Sequence, residues 1–273
     1  AETVSESGET TISVTRAVDP SRYGVITLDG DYVETFVEKP PPHAVESELV
    51  SMGVYAFTPD VFAALRTIGP GSELPGELQL TDVIERFLDQ GIRAVRYDGL
   101  WLELTQPWDL LSATAELLQR RGSSIVDTAQ VDEDASVVHP VALGPDTTIQ
   151  PGARVLPGTA LGANVTVGPN AVVQNAVVLP DATIGPGCVV RNAVIGAGTT
   201  LRANVTVEDG EADVVIDGSL YSDVRFGGLI GDGSTVDANA TIRPGTIVGN
   251  DVRIDSAAVV DGTVASGTRI RRG

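Results

Sequence analysis

The 273-residue sequence has few of the residue types that most often carry covalent or metal chemistry, namely one cysteine and two histidines. A single cysteine excludes a disulfide within the chain and is typical of a reducing compartment, so we expect a cytoplasmic protein. Two histidines exclude a zinc site built from three. No apolar run approaches the roughly 18 residues of a membrane span, and no signal peptide is recognisable. We therefore expect no membrane association.

Basic charge is also scarce, and lysine is nearly absent. The chain has 37 Asp and Glu residues against 18 Lys and Arg, a formal net charge of −19 and a pI near 4.3. Lys39 is the one lysine. This charge argues against nucleic acid and anionic membranes as partners. Diffuse acidity with almost no lysine resembles the cytosolic proteins of salt-accumulating archaea, in which molar salt screens the repulsion. The alternative is an ordinary acidic cytosolic protein.

Aromatic residues are rare in the second half of the chain. Both tryptophans and all but two of the Phe and Tyr residues precede Val131, and the exceptions are Tyr221 and Phe226. A solenoid, which is a coil of stacked short repeats, has a narrow core with little room for aromatic rings. This change of composition therefore marks a domain boundary. We predict a first domain over residues 1–123 and a second over residues 124–273.

The second domain has a six-residue repeat. Aliphatic residues stand at every sixth position from Val131 to Leu179, and the residue four positions after each is small or β-branched. Gly, Pro, Asn and Asp fill the turn positions between them. A fixed short period indicates a solenoid, whose units bury their apolar side chains only by stacking. Three hexads would close one triangular coil with the aliphatic residues inside, which resembles the hexapeptide-repeat, left-handed parallel β-helix.

The repeat changes phase after Leu179 and runs in step again from Ile230. The break at residues 208–228 contains two β-prone runs around Asp217-Gly218, which favours a hairpin that projects from the coil. An irregular surface loop is the alternative. Cys188 stands at a small inward position of the repeat, so we expect it in the core.

The first domain contains an alternating segment that ends in prolines. Apolar residues alternate along Asp31–Lys39 and three prolines follow, which predicts a strand that ends at the proline cluster. Glu38 and Lys39 then stand at a strand end beside a loop, where α/β folds place ligand groups. A carboxylate can hold sugar hydroxyls and an ammonium can hold a phosphate. Taken alone, such a pair is more often a solvated surface pair.

Three helices are predicted in this domain. Thr58-Pro59-Asp60 has the features of a helix start, with an N-cap residue, a proline in the first turn and an acid at the positive end of the dipole. Thr81-Asp82 begins a second helix that stops at Gly91. A leucine-rich third helix ends at Arg120-Arg121-Gly122 and leads into the repeat.

Five short motifs follow one another in order between residues 22 and 122. They are Tyr23-Gly24-Val25, Glu38-Lys39-Pro40, Met52-Gly53-Val54-Tyr55-Ala56-Phe57, Gly76-Glu77-Leu78-Gln79-Leu80-Thr81-Asp82 and Trp101-Leu102-Glu103-Leu104-Thr105-Gln106-Pro107-Trp108-Asp109-Leu110-Leu111. In order and spacing they resemble the second half of the sugar-1-phosphate nucleotidyltransferases, such as glucose-1-phosphate thymidylyl- and uridylyltransferases. With the hexapeptide domain, the whole chain resembles two-domain archaeal nucleotidyltransferase/acetyltransferase proteins. The resemblance implies an α/β fold, a partial Rossmann-like nucleotidyltransferase domain, followed by the left-handed parallel β-helix.

The resemblance also implies a substrate site. Gly24 would offer a backbone amide near the sugar, Glu38 would accept hydrogen bonds from sugar hydroxyls, and Lys39 would pair with the sugar phosphate. The backbone around Ser51 and Gly53 would border the sugar. The partners would be a sugar 1-phosphate and a nucleoside triphosphate, and the products a nucleoside-diphosphate sugar and pyrophosphate. Magnesium and cationic side chains would stabilise the transferring phosphate.

Three features depart from the family pattern. We expect the leading segment of the family, with its Gly-rich triphosphate loop, catalytic basic residues and first metal-binding aspartate, to be missing, so no catalytic residue is predicted. Glu103 stands where the family has its second magnesium-binding aspartate, and it is one methylene longer. Thr105 stands where the family usually has glycine, which would strain the backbone if that position has a positive φ.

The β-helix raises a rival function. Many hexapeptide-repeat proteins transfer acyl groups from coenzyme A with a histidine base, and Gly196–Thr199 and Gly228–Gly233 resemble the acetyltransferase domain of the archaeal proteins. The stretch from Cys188 to Ile195, which should carry the histidine, has none, and the one histidine of the repeat is His139, at an early corner. We therefore expect the β-helix to assemble subunits as a homotrimer. An acetyl-CoA-dependent acetyltransferase acting on an amino-sugar phosphate is the alternative.

Overall fold

The chain forms two compact units in the computed structural model, which describes residues 8–67, 84 and 87–272. The units are residues 1–102 and residues 103–273. The boundary predicted after residue 123 falls where the first β-helix strand begins, at Ser124. The two divisions differ because the helix before Ser124 packs on the β-helix and so belongs to the second unit.

The first unit is built around a mixed sheet of five strands. They are β1 (Thr11–Arg16), β2 (Gly24–Asp29), β3 (Tyr32–Glu38), β4 (Leu49–Ala56) and β5 (Arg93–Arg96). The hydrogen-bonding order is β1-β4-β2-β3-β5, and β5 returns to pair with β1, so that the sheet closes on itself. The β1–β5 pair is parallel and the other pairs of this sheet are antiparallel.

Burial along β3 changes phase once, because its pairing with β2 shifts register between Thr27 and Leu28. Strand β3 ends at Glu38, one residue before the first of the prolines, as the sequence predicts. Val33 and Phe36 are buried, whereas Val37 is half exposed. The core that these side chains join also contains Ile12, Val14, Ile26, Val61, Ile84, Phe87, Ile92 and Ala94.

The described helical segments of the first unit are short. Helix α1 (Val61–Thr67) starts from a turn in which the Val61 N–H donates to the Thr58 carbonyl at 3.1 Å, which confirms the predicted start. The predicted start of the second helix lies outside the described residues, but its predicted end is confirmed, since the chain turns at Gly91 with φ 85°. Two 3-10 helices span Pro20–Arg22 and Pro42–Ala44.

Helix α2 (Pro107–Arg121) opens the second unit. Its first turn is fixed by Asp109, whose carboxylate accepts hydrogen bonds from the N–H groups of Thr105 at 3.1 Å and Gln106 at 2.8 Å. It ends at Gly122, which has φ 80° and donates its N–H to the Leu118 carbonyl. This confirms the third predicted helix.

The rest of the second unit is a parallel β-helix with three sheets of two- and three-residue strands. The first sheet contains β7 (Gln130–Val131), β10 (Thr148–Ile149), β13 (Thr166–Val167), β16 (Thr183–Ile184), β19 (Thr200–Leu201), β24 (Thr235–Val236), β27 (Arg253–Ile254) and β30 (Arg269–Ile270). The second contains β8 (Ser136–Val137), β11 (Arg154–Val155), β14 (Val172–Gln174), β17 (Val189–Arg191), β20 (Thr206–Val207), β25 (Thr241–Ile242) and β28 (Val259–Val260). The third contains β6 (Ser124–Ile125), β9 (Ala142–Leu143), β12 (Ala160–Leu161), β15 (Val177–Val178), β18 (Ala193–Ile195), β23 (Gly228–Ile230), β26 (Thr246–Val248) and β29 (Thr263–Val264).

The inward positions of these strands form one continuous core, which confirms the predicted class of fold, an α/β domain followed by a parallel β-helix. Val167, Ile195 and Ile230 are fully buried in the central coils, whereas Val131, in an early coil, is 43% exposed. Cys188 is buried, as predicted, and its thiol contacts the Arg202 carbonyl.

The six-residue count is wrong after Val173, where it places Val177, Leu179 and Thr183 inside the coil although Ala176, Val178 and Ala182 are the buried core residues. Leu179 packs on the outside against α2. Between the strands of Val173 and Val178 the corner turns in one residue fewer, with Asn175 at φ 44°. The short corner is the physical cause of the phase change in the sequence.

Left-handed backbone at the corners explains the recurring Gly, Asn and Asp residues. These three residue types adopt positive φ at little steric cost. At one corner the residues with positive φ on successive coils are Asp146, Asn164, Asp181, Gly198, Gly233, Asp251 and Gly267.

The break in the repeat is a β-hairpin, as predicted. It consists of β21 (Glu211–Ile216) and β22 (Ser219–Arg225), which pair antiparallel. Asp217 and Gly218 form the two-residue turn with φ of 50° and 80°, values that match the right-handed twist of the flanking strands.

Helix α2 covers part of the outer face of the third sheet. On most strands of the other two sheets the outward residue is Thr, Ser or Arg, but on four strands of the third it is Val177, Val194, Leu229 or Ile247. These side chains pack with Leu111 of the helix. No helix of the described residues is long and apolar enough to cross a membrane.

Candidate functional site

Three of the predicted substrate-binding residues meet where β2 begins and β3 ends. Gly24 is the direct cross-strand partner of Glu38. The Lys39 N–H donates to the Tyr23 carbonyl at 3.0 Å, which continues the pairing one step beyond β3. The glutamate and the lysine are both exposed, so their charged groups are open to a ligand. This end of the β2–β3 hairpin therefore carries one exposed carboxylate and one exposed ammonium on consecutive residues.

Gly24 must be glycine for steric reasons. A methyl group at this position would lie 2.5 Å from Cζ of Phe36 and 3.0 Å from Oε2 of Glu38. The absence of a side chain lets the Phe36 ring fill the core and leaves the Glu38 carboxylate against the backbone. A larger residue would displace both groups.

The other two predicted residues, Ser51 and Gly53, lie on β4 at a β-bulge. The pairing of β1 with β4 shifts register between Ile12, opposite Tyr55, and Val14, opposite Ser51. Gly53 supplies a φ of 76° inside the bulge. The extra residues bend the strand, and the hydroxyls of Ser51 and Tyr55 consequently meet at 2.7 Å.

Tyr55 is a member of this group that the sequence did not single out. Burial raises the pKa of its hydroxyl, the hydrogen bond with Ser51 opposes the rise, and the negative charge of Glu38 adds to it. The Tyr55 ring stacks on Phe57 with centroids 5.8 Å apart. Tyr55 thus lies close enough to Glu38 for the charge of the carboxylate to act on its hydroxyl. Its position in the Met52–Phe57 motif was the only signal, because the contact depends on the bulge.

Lys39 adopts a left-handed backbone conformation, with φ 43°. This conformation costs a residue with a side chain about 1 to 2 kcal/mol. The hydrogen bond to Tyr23 and the following proline fix the chain there. The only lysine of the chain is therefore held on an unusual backbone beside Glu38. We call Gly24, Glu38, Lys39, Ser51, Gly53 and Tyr55 the β-edge cluster.

Trp101 packs beside the β-edge cluster. Its ring lies edge-on to the Tyr23 ring with centroids 5.1 Å apart, and Tyr23 immediately precedes Gly24. The two aromatic side chains are partly buried and fix the chain just before the cluster.

Glu103, the predicted magnesium ligand, is an exposed residue at the start of the second unit. Among the described residues, no group of three His, Cys, Asp or Glu side chains could hold a metal ion. One exposed carboxylate does not make a magnesium site, since the ion needs several oxygen ligands in a near-octahedral arrangement. The described residues therefore do not fit the metal. Thr105 is not among the residues with positive φ, so its β-branched side chain is not strained.

The β-helix offers one histidine for the rival acyl-transfer chemistry. His139 is exposed, and its Nδ1 lies 2.5 Å from the hydroxyl of Ser123, which also accepts the Val141 N–H. No carboxylate is bonded to this ring among the described contacts. The stretch Gly196–Thr199 turns a corner of the coil, where Gly198 has φ 63°, as its phase predicts.

A polar ladder runs along the corner next to the hairpin. Asn175 donates to Asn192, Asn192 donates to Asp209, and Arg225 of the hairpin binds both carboxylate oxygens of Asp209. The hydrogen bonds from Arg225 hold the pKa of Asp209 below its usual value, against the effect of burial, and Asn192 and Arg191 add to the lowering. The ladder ties the base of the hairpin to the coil.

Two family profiles match the chain, one for each part. The profile described as nucleotidyl transferase matches residues 1–120, and the profile described as GMPPB C-terminal domain matches residues 137–270. The first profile covers the β-edge cluster, and the second covers nearly all of the β-helix.

Several curated proteins are similar to the chain. "Bifunctional protein GlmU" of Methanococcus maripaludis is 26% identical over 93% of the chain and 67% of its own length. "Bifunctional sugar-1-phosphate nucleotidylyltransferase/acetyltransferase" of Sulfurisphaera tokodaii is 27% identical over 95% of the chain and 70% of its own length. "Glucose-1-phosphate thymidylyltransferase" of Streptomyces antibioticus is 34% identical over 58% of the chain and 42% of its own length.

The chain spans about two thirds of the length of the first two of these relatives. The similarity to both extends over the sheet of the first unit and the β-helix together, in the same order as the two family profiles. The first part of the chain is therefore similar to nucleotidyl transferases, and the β-helix is similar to the GMPPB C-terminal domain.

Proposed function

We propose that the protein takes part in the transfer of a nucleotidyl group to a sugar 1-phosphate, and that the β-edge cluster binds the sugar phosphate. The observation that carries the proposal is the meeting of Gly24, Glu38 and Lys39 at the end of one hairpin, with Ser51 and Tyr55 linked to them. An ammonium beside a carboxylate matches a ligand that has a phosphate next to hydroxyl groups.

Each group has a role that follows from its chemistry. Lys39 would hold the phosphate as a point charge, and Glu38 would accept hydrogen bonds from sugar hydroxyls. Gly24 would let the sugar approach the backbone, because it has no side chain. The Ser51–Tyr55 pair would border the sugar with two hydroxyls that can each donate and accept.

The reaction would be an in-line displacement. An oxygen of the sugar 1-phosphate attacks the α-phosphorus of a nucleoside triphosphate, and the bond from that phosphorus to the pyrophosphate oxygen breaks. The products are a nucleoside-diphosphate sugar and pyrophosphate. The resemblance to nucleotidyl transferases implies magnesium, but we route no step through it because no group of three His, Cys, Asp or Glu side chains among the described residues could hold the ion.

Isothermal titration calorimetry with glucose 1-phosphate tests the binding role. We expect Lys39→Ala to weaken binding at least tenfold, because a charge-assisted contact with phosphate contributes about 1.5 to 3 kcal/mol. Glu38→Gln should weaken it less, since an amide still accepts one hydrogen bond. Glu34→Gln, on the same strand and exposed, is the matched control and should leave binding unchanged. Equal affinity of Lys39→Ala and the wild type would refute the site.

A second candidate function is acetyl transfer from acetyl-CoA to an amino-sugar phosphate. It is favoured by the two relatives with bifunctional names, whose similarity extends over the β-helix. His139 would be the base. Incubation with acetyl-CoA and glucosamine 1-phosphate, followed by mass spectrometry of the products, separates the functions. An acetylated sugar that disappears in His139→Ala would support this candidate.

We further propose that the protein is a cytoplasmic homotrimer assembled through the β-helix and adapted to high salt, as in halophilic archaea. The basis is the net charge of −19, the single lysine and the three parallel sheets of the β-helix. Sedimentation equilibrium at low and molar KCl tests the assembly, and chemical denaturation at the same salt concentrations tests the adaptation. A monomer at every salt concentration would exclude the trimer, and stability independent of salt would exclude the adaptation.

A further inference from the structure

Two corners of the β-helix differ in charge although they share one backbone conformation. At the corner that leads from the third sheet into the first, the residues with positive φ include Asp146, Asp181 and Asp251. Asp127 and Asp232 lie at the same corner, and all five aspartates are exposed. We call these five residues the acidic edge. It is one of the places where the β-helix concentrates its negative charge.

The corner that leads from the first sheet into the second carries no charge on six successive coils. We call it the neutral ridge, and it consists of residues 151–152, 169–170, 186–187, 203–204, 238–239 and 256–257. The second residue of each pair has a positive φ, and at Asn170, Asn204 and Asn239 it is an exposed asparagine. Asp and Asn both visit the left-handed conformation. The backbone therefore does not explain why a chain of net charge −19 uses only Asn here.

The strands on either side of the neutral ridge also turn few charges outward. The first residue, which points outward, is Thr on β10, β13, β16, β19 and β24 of the first sheet and Val or Thr on β14, β17, β20 and β25 of the second. Arg202 and Asp237, beside the ridge, neutralise each other in an ion pair of 2.8 Å. One coil before the ridge, Glu133 and Asp134 are exposed, and exposed Arg154 on β11 offers the opposite charge.

Other surfaces of the β-helix are less suited to contact with a second copy of the chain. Helix α2 covers part of the third sheet, and the β21–β22 hairpin projects from the corner between the second and third sheets. At the acidic edge a second copy would bring aspartates close together, and juxtaposed like charges cost several kcal/mol. Among the described residues, the neutral ridge and its two flanks avoid all three obstacles.

We propose that the neutral ridge faces the threefold axis of the homotrimer, so that the first-sheet flank of one copy contacts the second-sheet flank of the next. Two different surfaces meet at each contact, which is the heterologous arrangement that can close into a ring. A residue that faces the axis meets its own two copies. Three aspartates would repel each other there, whereas three asparagine amides can each donate and accept hydrogen bonds. This inference rests on the proposed trimer and is independent of the β-edge cluster.

Two matched substitutions in the full chain test the ridge. Asn204→Asp adds a charge at the ridge, and Asn164→Asp adds the same charge at the corner of the acidic edge; both residues are exposed and have φ of 59° and 57°. Asn164 also bonds to Asp181, so a general effect of added charge would be at least as large in this control. Sedimentation equilibrium at about 0.1 M and about 1 M KCl compares weak with strong screening, with Debye lengths of about 10 and about 3 Å.

We expect Asn204→Asp to raise the dissociation constant of the trimer at least about tenfold at the lower salt concentration and less at the higher one. Asn164→Asp should leave it unchanged. A wild type that is monomeric at both salt concentrations would overturn the trimer and the ridge together. A trimeric wild type whose assembly is equally affected, or equally unaffected, by the two substitutions would overturn the ridge alone.

Chemical cross-linking provides a second measurement that does not depend on repulsion. Cys188 is the one cysteine of the chain and is buried, so Asn204→Cys supplies an exposed thiol. A short bismaleimide should join two copies of Asn204→Cys into a dimer on a denaturing gel, because ridge residues meet at the axis. Asn164→Cys should give no dimer. Dimers from Asn164→Cys alone would overturn the ridge, and calorimetry of the wild type with glucose 1-phosphate tests the β-edge cluster separately.

Discussion

The two units of this chain encode their folds on different length scales. In the β-helix each strand pairs with strands about one coil away, so that Thr148 lies between Gln130 and Thr166. In the first unit Thr11 pairs with both Ala56 and Arg93, which are remote in sequence. The repeat is consequently visible as a pattern, whereas the sheet of the first unit depends on contacts that no local pattern specifies. The unit that is easier to derive from its sequence is also the one whose chemistry is harder to assign.

The largest effects on the free energy of unfolding should come from substitutions that remove side-chain volume from one core at a time. Ile26 in the first unit and Ile195 in the second are both fully buried, in different clusters. Replacing either by alanine should cost about 2 to 5 kcal/mol through lost burial and a residual cavity. Because the clusters are separate, each substitution should lower one of two transitions in a calorimetric melt. A single transition that shifts equally in both variants would show that the two cores do not unfold separately.

Glycine substitutions should show how differently the units use this residue. Gly24→Ala would press a methyl group against Phe36 and Glu38, and overpacking of this kind costs about 1 to 3 kcal/mol. Gly198→Ala at a β-helix corner meets no atom within 4 Å and bears only the penalty of its positive φ, about 1 kcal/mol. Chemical denaturation gives both values. Only Gly24→Ala should also weaken binding of glucose 1-phosphate, and loss of binding in Gly198→Ala would contradict the assignment.

The same contrast between local and long-range pairing explains which features of the fold could be predicted from the sequence. The hexad count, the Asp217-Gly218 hairpin and the inward Cys188 were all predictable, because each depends on residues close in the chain. Leu179 was misplaced because the corner at Asn175 is one residue shorter. The spacing of apolar residues does not by itself show the length of a corner. The apolar outward residues of the third sheet were a readable signal for the helix that covers them.

The candidate site was predictable only in part. The strand that ends at Glu38 can be predicted from the alternating apolar residues and the prolines that follow. The pairing of Gly24 with Glu38 depends on the tertiary structure. Tyr55 was missed because an extended strand would hold it far from Ser51. The bulge at Gly53 brings the two hydroxyls together, and a bulge requires the partner strand to be known.

Acidic pH should act on the second unit through Asp209. Its pKa is lowered in the folded state, chiefly by hydrogen bonds from Arg225, so the unfolded chain binds that proton more tightly. The stabilisation is complete above the ordinary value of 3.8 and is lost as the pH falls through the lowered folded value. Acid titrations of the unfolding free energy should therefore be flatter for Asp209→Asn than for the wild type. Parallel titration curves would exclude this contribution.

The smallest expected effect is a gain in stability at an exception to the corner pattern. Ala257 has φ 58° at a corner where other coils have glycine or asparagine, including Gly187, Asn204 and Asn239. Ala257→Gly relieves the steric cost of the left-handed conformation but adds freedom to the unfolded chain, so we expect a net gain of about 0.5 to 1 kcal/mol. Ala171→Gly, at a buried position without positive φ, is the control and should destabilise the protein. Equal losses in both variants, measured by chemical denaturation, would mean that corner conformation does not select residue type in this β-helix. The sequence pattern that distinguishes the second unit from the first would then consist only of its inward aliphatic residues.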